Sequence, residues 1–250
     1  DAEIDRLAGA LQAAAVDCVA VCLLHAYANP AHERQLEEGL TRQLPGLAIS
    51  ASHQVSPEIR EFERCSTTVL NALLAPVVQR YLENLRNRMT RAGIDCPVLL
   101  VQSNGGVTSL ETAARFPVRL LLSGPSGGAL AAETIAKQTG RPNLIAVDMG
   151  GTSYDVSVVH DGQVKLVNQG DVAGCPVRLP MVEIRTIGAG GGSLARIDAV
   201  GRLAVGPQSA GAEPGPACYG GGGEQPTVTD ADTVLGRIDP AYFAGGKVTL

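Results

Sequence analysis

Residues 145–159, IAVDMGGTSYDVSVV, set two strand-like runs on either side of a Gly-Gly bend, with an aspartate before it and Thr-Ser just after. No other stretch constrains the fold as strongly. The two runs predict a hairpin, and a bend without Cβ atoms lets backbone amides approach a ligand and permits positive φ. Such amides suit an anion. Asp148 would repel a bare phosphate, so its place here makes sense when a divalent cation or an attacking water lies between carboxylate and phosphate. Thr152 and Ser153 add hydroxyl donors. An ordinary hairpin with glycines in its turn fits the same letters.

The rest of the chain alternates helical and strand-like patterns, which places it in the α/β class. A first helix, EIDRLAGALQAAA, leads into VAVCLLHAY, an apolar run of the kind buried on both faces of a sheet. AHERQLEEGLTRQL then carries Leu36, Leu40 and Leu44 at helical spacing, Pro45-Gly46 stops it, and LAISAS is a second strand. Strand, helix, strand predicts a parallel pair with a crossover. The segment from Ser66 to Gly93 opens with Ser/Thr capping candidates and reads as the longest helix, with a kink at Pro76. PVLLVQS follows as a strand, SNGGVTS as a turn, and RLLLSGPSGGALAAETIAKQTG as a strand passing through a glycine-rich turn into a helix.

Three glycine-rich stretches invite functional readings. Ser123 to Gly128 fits a phosphate cradle at a helix start, or small residues where helices cross closely. It lacks the Gly-x-x-x-x-Gly-Lys-Ser/Thr pattern, and the Gly246-Lys247 pair is followed by Val, so a P-loop is not supported. TIGAGGGS, Thr186 to Ser193, does not fit the dinucleotide fingerprint, and a flexible structural loop fits it too. GPQSAGAEPGPACYGGGG is too rich in Gly and Pro for regular structure, and its Ser209–Gly211 and Pro216–Tyr219 groups are candidates for a substrate or partner surface. Asp230 and Asp232, in TVTDADTVLG, are helix-cap candidates.

Composition excludes several classes. At 250 residues, 45% hydrophobic with thirty glycines, the chain can bury a core as one large domain or two smaller ones. A net charge of -5, with scattered Lys and Arg, gives no nucleic-acid footprint. No apolar run nears the roughly 20 residues of a membrane span, no secretory signal opens the chain, and a cytoplasmic location is the expectation. The six cysteines, Cys18, Cys22, Cys65, Cys96, Cys175 and Cys218, include no Cys-x-x-Cys pair and read as free thiols. Cys18 and Cys22 with His25 and His32 do not have zinc-site spacing, and small buried side chains are the plainer reading. No Ser-His-Asp or Cys-His set stands out, and nothing beside Cys65 or Cys218 indicates an activated thiol.

DMGGTSYDVSVV resembles the second phosphate motif of the actin, sugar-kinase and heat-shock-chaperone ATPases. More closely, the chain resembles the hydantoinase A family, which includes ATP-dependent N-methylhydantoinases, 5-oxoprolinases and related subunits of acetone-type carboxylases. The matching stretches are AVCLLHAYANPAHE, VSPEIREFERCSTTVLNA, VQSNGG, LLSGPSGGALAA, DMGGTSYDV, IRTIGAGGGSLARID, VGPQSAGAEPGPACYGGGG and PTVTDADTVLGR, in family order through nearly the whole chain.

The resemblance implies a ribonuclease-H-like fold of two lobes with ATP and a divalent cation such as Mg2+ in the cleft. It implies that the chain is a fragment lacking the first phosphate loop, with 1–135 the rest of the first lobe, 66–118 a helical insertion in it, the helix after Gly128 a connector, and 136–250 the second lobe. Asp148 would then act in catalysis and hold the metal or its waters, Gly150, Gly151, Thr152 and Ser153 would face phosphate, and Gly188, Gly190, Gly191 and Gly192 would leave room for nucleotide. The implied activity is hydrolysis of a cyclic amide such as hydantoin, N-methylhydantoin or 5-oxoproline, with a hydantoinase B-type partner. An acetone-type carboxylase subunit and a non-catalytic nucleotide-binding piece are the alternatives.

Overall fold

The computed structural model describes residues 2–172, 174–246 and 250; Lys247 of the Gly-Lys pair lies outside them. The chain divides into two compact units, one of residues 1–130 with 165–182, the other of residues 131–164 with 183–250. Both mix helix and strand.

The first unit is built on the expected strand, helix, strand. Helix α1 (Ala2–Ala13) precedes β1 (Cys18–Val21); α2 (Ala31–Gln43) returns the chain to β2 (Ala48–Ala51), which pairs parallel to β1 from Cys18↔Ala48 to Val21↔Ala51. Ile4 and Ala8 of α1 bury against Leu40, with Leu7, Leu11, Leu36 and Leu44 at the margin, so the helical spacing of leucines does face a core.

The long helix differs from expectation at its start. Helix α3 runs Glu61–Arg91 unbroken through Pro76, so Ser66, Thr67 and Thr68 lie inside it rather than capping it. Thr67 and Thr68 instead donate to the carbonyls of Glu63 and Arg64, each one turn back, which satisfies their buried hydroxyls, and Thr67 Oγ1 also accepts from the Arg178 amide at 2.9 Å. The helix ends where expected, at Gly93, whose φ of +70° suits glycine.

After α3 come β3 (Leu99–Val101) and β4 (Val107–Ser109), an antiparallel hairpin across the expected Asn-Gly-Gly turn. The strand expected at RLLL is absent; Pro117–Leu120 is a 3-10 turn, and α4 (Ser123–Thr139) takes in the whole SGPSGG stretch. Ser126 explains this. Its buried hydroxyl donates to the carbonyls of Ser103 and Leu122, anchoring the first turns as helix, while added Cβ atoms at Gly127 and Gly128 would meet nothing. The stretch is the start of the helix rather than a loop before it, and among the described residues nothing lies within 4 Å of a Cβ at Gly124, Gly127 or Gly128, so it is not a close helix crossing.

Residues 165–182 belong to the first unit although a boundary near residue 135 would put them in the second. Val177, Leu179 and Met181 complete one apolar core with Val55 and Val118, and burial of those side chains holds the segment in place.

In the second unit β5 (Leu144–Met149) and β6 (Tyr154–His160) form the predicted hairpin, and β7 (Ile184–Ile187) adds antiparallel to β6. Leu144 and Ala146 alternate toward Ala132 and Ala136 of α4, with Val159 between. Strands β8 (Ser193–Ile197) and β9 (Leu203–Ser209) pair antiparallel, and α5 (Val228–Val234) follows. Thr227 is the N-cap, and Asp230, one of the two cap candidates, answers it from the third helical position in a reciprocal capping box. Burial alone would raise the Asp230 carboxyl, but donors on Cys218 and Thr227 outweigh it and hold the pKa down to about 2. Among the described residues no helix is long and apolar enough to cross a membrane.

Candidate functional site

The hairpin register assembles a feature that the letters alone leave scattered. Asp148 on β5 stands directly opposite Asp155 on β6. Cross-strand partners project to the same face, so the two carboxylates are neighbours, and like charges in that relation repel. Thr186 on β7 is the next partner across, and its hydroxyl donates to Asp155 Oδ1 at 2.6 Å. Asp148 is exposed, and among the described residues no Lys or Arg pairs with either carboxylate. Two adjacent uncompensated carboxylates are a set that Mg2+ accepts, since it is commonly held by one or two carboxylates with the rest of its shell from water and phosphate. Among the described residues no group of three or more His, Cys, Asp or Glu could hold a metal.

Among the described residues, the bend beyond the aspartates leaves two amides without an acceptor. The Gly150 amide is taken by the Ser153 carbonyl at 2.9 Å, whereas those of Gly151 and Thr152 donate to no protein group among the described residues. The hydroxyls of Thr152 and Ser153 also have no protein partner among the described residues. Neither Gly150 nor Gly151 has positive φ, so backbone strain is not why glycine stands here. A Cβ on Gly151 would meet nothing in the chain. The open surface over this bend therefore suits something that approaches from outside.

Gly190, Gly191 and Gly192 play a different part. Gly191 and Gly192 donate to the carbonyls of Gly150 and Gly151 at 2.9 and 2.6 Å, and Gly190 donates to the Ser193 hydroxyl at 2.8 Å. A Cβ at Gly190 would come within 2.7 Å of Gly150 O and Ser153 N, and one at Gly192 within 3.0 Å of Gly151 O. The space that the missing side chains leave is filled by the bend itself, so these glycines seat it. Thr229, through amide and hydroxyl at 2.8 Å each, holds the Gly191 carbonyl from α5. Gly188 alone of the four has slack: a Cβ there would make ordinary contact with Pro207 at 3.7 Å. Asp155, Thr186 and Thr229 are the residues that sequence reasoning passed over, although counting across the four-residue bend gives the Asp148–Asp155 pairing.

A second assembly lies in the first unit. Glu33 is fully buried and accepts from Leu23 N, the Ser52 hydroxyl and His53 N at 2.7–2.8 Å, with His53 Nδ1 at 2.9 Å. Arg64, also fully buried, donates to the Ser52 hydroxyl and the carbonyls of Glu58 and Leu23, and lies over the Tyr27 ring. Burial opposes ionisation of Glu33, but its four donors prevail and its pKa is lowered.

Comparison with known proteins shows the family of the chain. The hydantoinase/oxoprolinase pattern matches residues 64–250, and the pattern of the hydantoinase/oxoprolinase N-terminal region matches 1–44. The chain belongs to the hydantoinase/oxoprolinase family. It is 40% identical to the caprolactamase subunit alpha of Pseudomonas jessenii over 94% of this chain and 34% of that protein. It is 39% identical to 5-oxoprolinase 1 of Arabidopsis thaliana over 91% of this chain and 18% of that one. The nucleotide-free structure of an acetone carboxylase, described as acting by ATP-dependent acetone carboxylation, superposes with a TM-score of 0.80 at 30% identity, covering 99% of this chain and 35% of that one. The chain thus spans about a third or less of these hydantoinase/oxoprolinase relatives.

Proposed function

We propose that this chain carries the phosphate-facing part of an ATP-dependent enzyme that opens a cyclic amide. The observation carrying this reading is the Asp148–Asp155 pair, uncompensated and beside the free amides of Gly151 and Thr152. Asp148 and Asp155 would hold a divalent cation; when bound, it would neutralise charge on the phosphates. Gly151 and Thr152 would donate to the phosphate oxygens, and the Thr152 and Ser153 hydroxyls would complete the cradle.

The chemistry has a reason to use ATP. Amide resonance makes a lactam slow to hydrolyse; phosphoryl transfer from ATP to the amide oxygen releases ADP and opens the carbon to water. The ring nitrogen then takes up a proton and leaves as the C–N bond breaks, and a second water releases phosphate from the acyl phosphate to give the open-chain amino acid. Amide-ring enzymes stand among the relatives at 40% and 39% identity, a caprolactamase subunit and a 5-oxoprolinase, beside carboxylase subunits at 36% and 31%, and the reading follows the higher pair. The caprolactamase and acetone carboxylase relatives are named as subunits, which supports a partner of the hydantoinase B type.

ADP release should rise when the enzyme, assembled with its partner, receives hydantoin, 5-oxoproline or caprolactam, and should not rise with acetone plus bicarbonate. The opposite pattern would move the assignment to a ketone carboxylase, which the likeness to the acetone carboxylase structure supports.

A further inference from the structure

A cavity of about 300 Å³ lies within the first unit, away from the glycine bend in sequence and built from other residues. Its polar lining comes from Glu58, Gln102, Asn104, Arg119 and Arg178, and Leu179 contributes an apolar wall. The charges do not balance. Arg178 is ion-paired with Glu58, whereas Arg119 has no carboxylate partner among the described residues. Arg119 is half-buried and stacks on the Phe116 ring, its Cζ 4.4 Å from the ring centroid, which holds the guanidinium plane in place. Among the described residues the Gln102 side chain has no hydrogen-bond partner, and Asn104 commits only its carbonyl, to the Gly106 amide at 2.9 Å.

We propose that this cavity binds a small monocarboxylate, its carboxylate taken by the Arg119 guanidinium and its remaining polar atoms by the amides of Gln102 and Asn104. One unpaired cation matches a single negative charge, which favours a carboxylate over a phosphate dianion. The size is at the lower end for small-molecule pockets and suits a ligand of amino-acid dimensions. Burial of Arg119 depresses its pKa, the mark of a cation short of solvation, and a bound anion would relieve that cost. The inference stands apart from the ATP reading, since no residue is shared.

Calorimetric titration of the protein without ATP tests it, using 5-oxoproline, butyrate and acetate as probes and caprolactam as a ring amide without a carboxylate. At least one carboxylate should bind and caprolactam should not; 5-oxoproline alone would indicate a cyclic ligand, and butyrate or acetate an open-chain one. Arg119→Gln should weaken that binding by roughly 10- to 100-fold, the worth of a charge-assisted contact. Should Arg119→Gln fail to fold, Arg119→Lys and Gln102→Leu must each weaken binding. Absence of binding by all three carboxylates, binding of caprolactam as tight as theirs, or undiminished binding in the folded variants would overturn the proposal.

Discussion

Asp148→Asn is expected to lower ATP turnover of the assembled enzyme by about 10²- to 10³-fold, the usual loss when one electrostatic partner of a transferring group is removed. Its effect on stability should run the other way. Asp148 is exposed, makes no ion pair among the described residues, and faces Asp155 directly across the hairpin. Removing one of two opposed like charges relieves about 0.2–1 kcal/mol of repulsion, so melting should be unchanged or slightly raised. Few structural roles combine lost activity with retained or increased stability. ADP release and thermal melting measured on the same preparations check both halves. A variant that loses both would make Asp148 a structural residue.

The largest effect on stability is expected from Glu33→Gln. The two side chains have the same shape, but Gln replaces one acceptor oxygen with an NH2 group. Glu33 receives four donors from Leu23, Ser52 and His53, so the new NH2 must face at least one of them in a fully buried site. Breaking a buried charged network in this way costs about 3–5 kcal/mol. Urea unfolding at neutral pH should show it as a lower midpoint with little change in slope.

The same network sets a pH dependence. The pKa of Glu33 is lowered in the folded protein, so its contribution is fully present above the ordinary carboxylate value of 4.5. It fades as pH falls below 4.5 toward the folded value. Wild type should therefore lose stability across that acid window, and Glu33→Gln should lose less there because the titrating group is gone.

What the sequence made legible was local. The β5–β6 hairpin could be read because apolar runs flank a bend of Gly150 and Gly151, and the β1–β2 parallel pair because α2 carries Leu36, Leu40 and Leu44 at helical spacing. The start of α3 could not, since Thr67 and Thr68 have good capping chemistry and only their burial in the folded first unit decides that their hydroxyls bond back along the helix. SGPSGG looks like a loop until Ser103 supplies the buried carbonyl that Ser126 needs. The glycines of TIGAGGGS were expected to make space for nucleotide because the absence of a side chain says nothing about what fills the gap. At Gly190 and Gly192 the occupant is backbone forty residues earlier in the chain. Glu33 and Arg64 are ordinary surface letters in sequence, and they are buried because Leu23, Ser52, His53 and Glu58 converge on them.

The most direct test follows the backbone amides of the 150–153 bend by NMR while Mg·ATP is added to the protein. The Gly151 and Thr152 resonances should shift strongly and saturably, and those of Gly191 and Gly192, already bonded to the bend, should move little. Unmoved Gly151 and Thr152 signals under conditions where ATP is bound elsewhere on the protein would contradict the account.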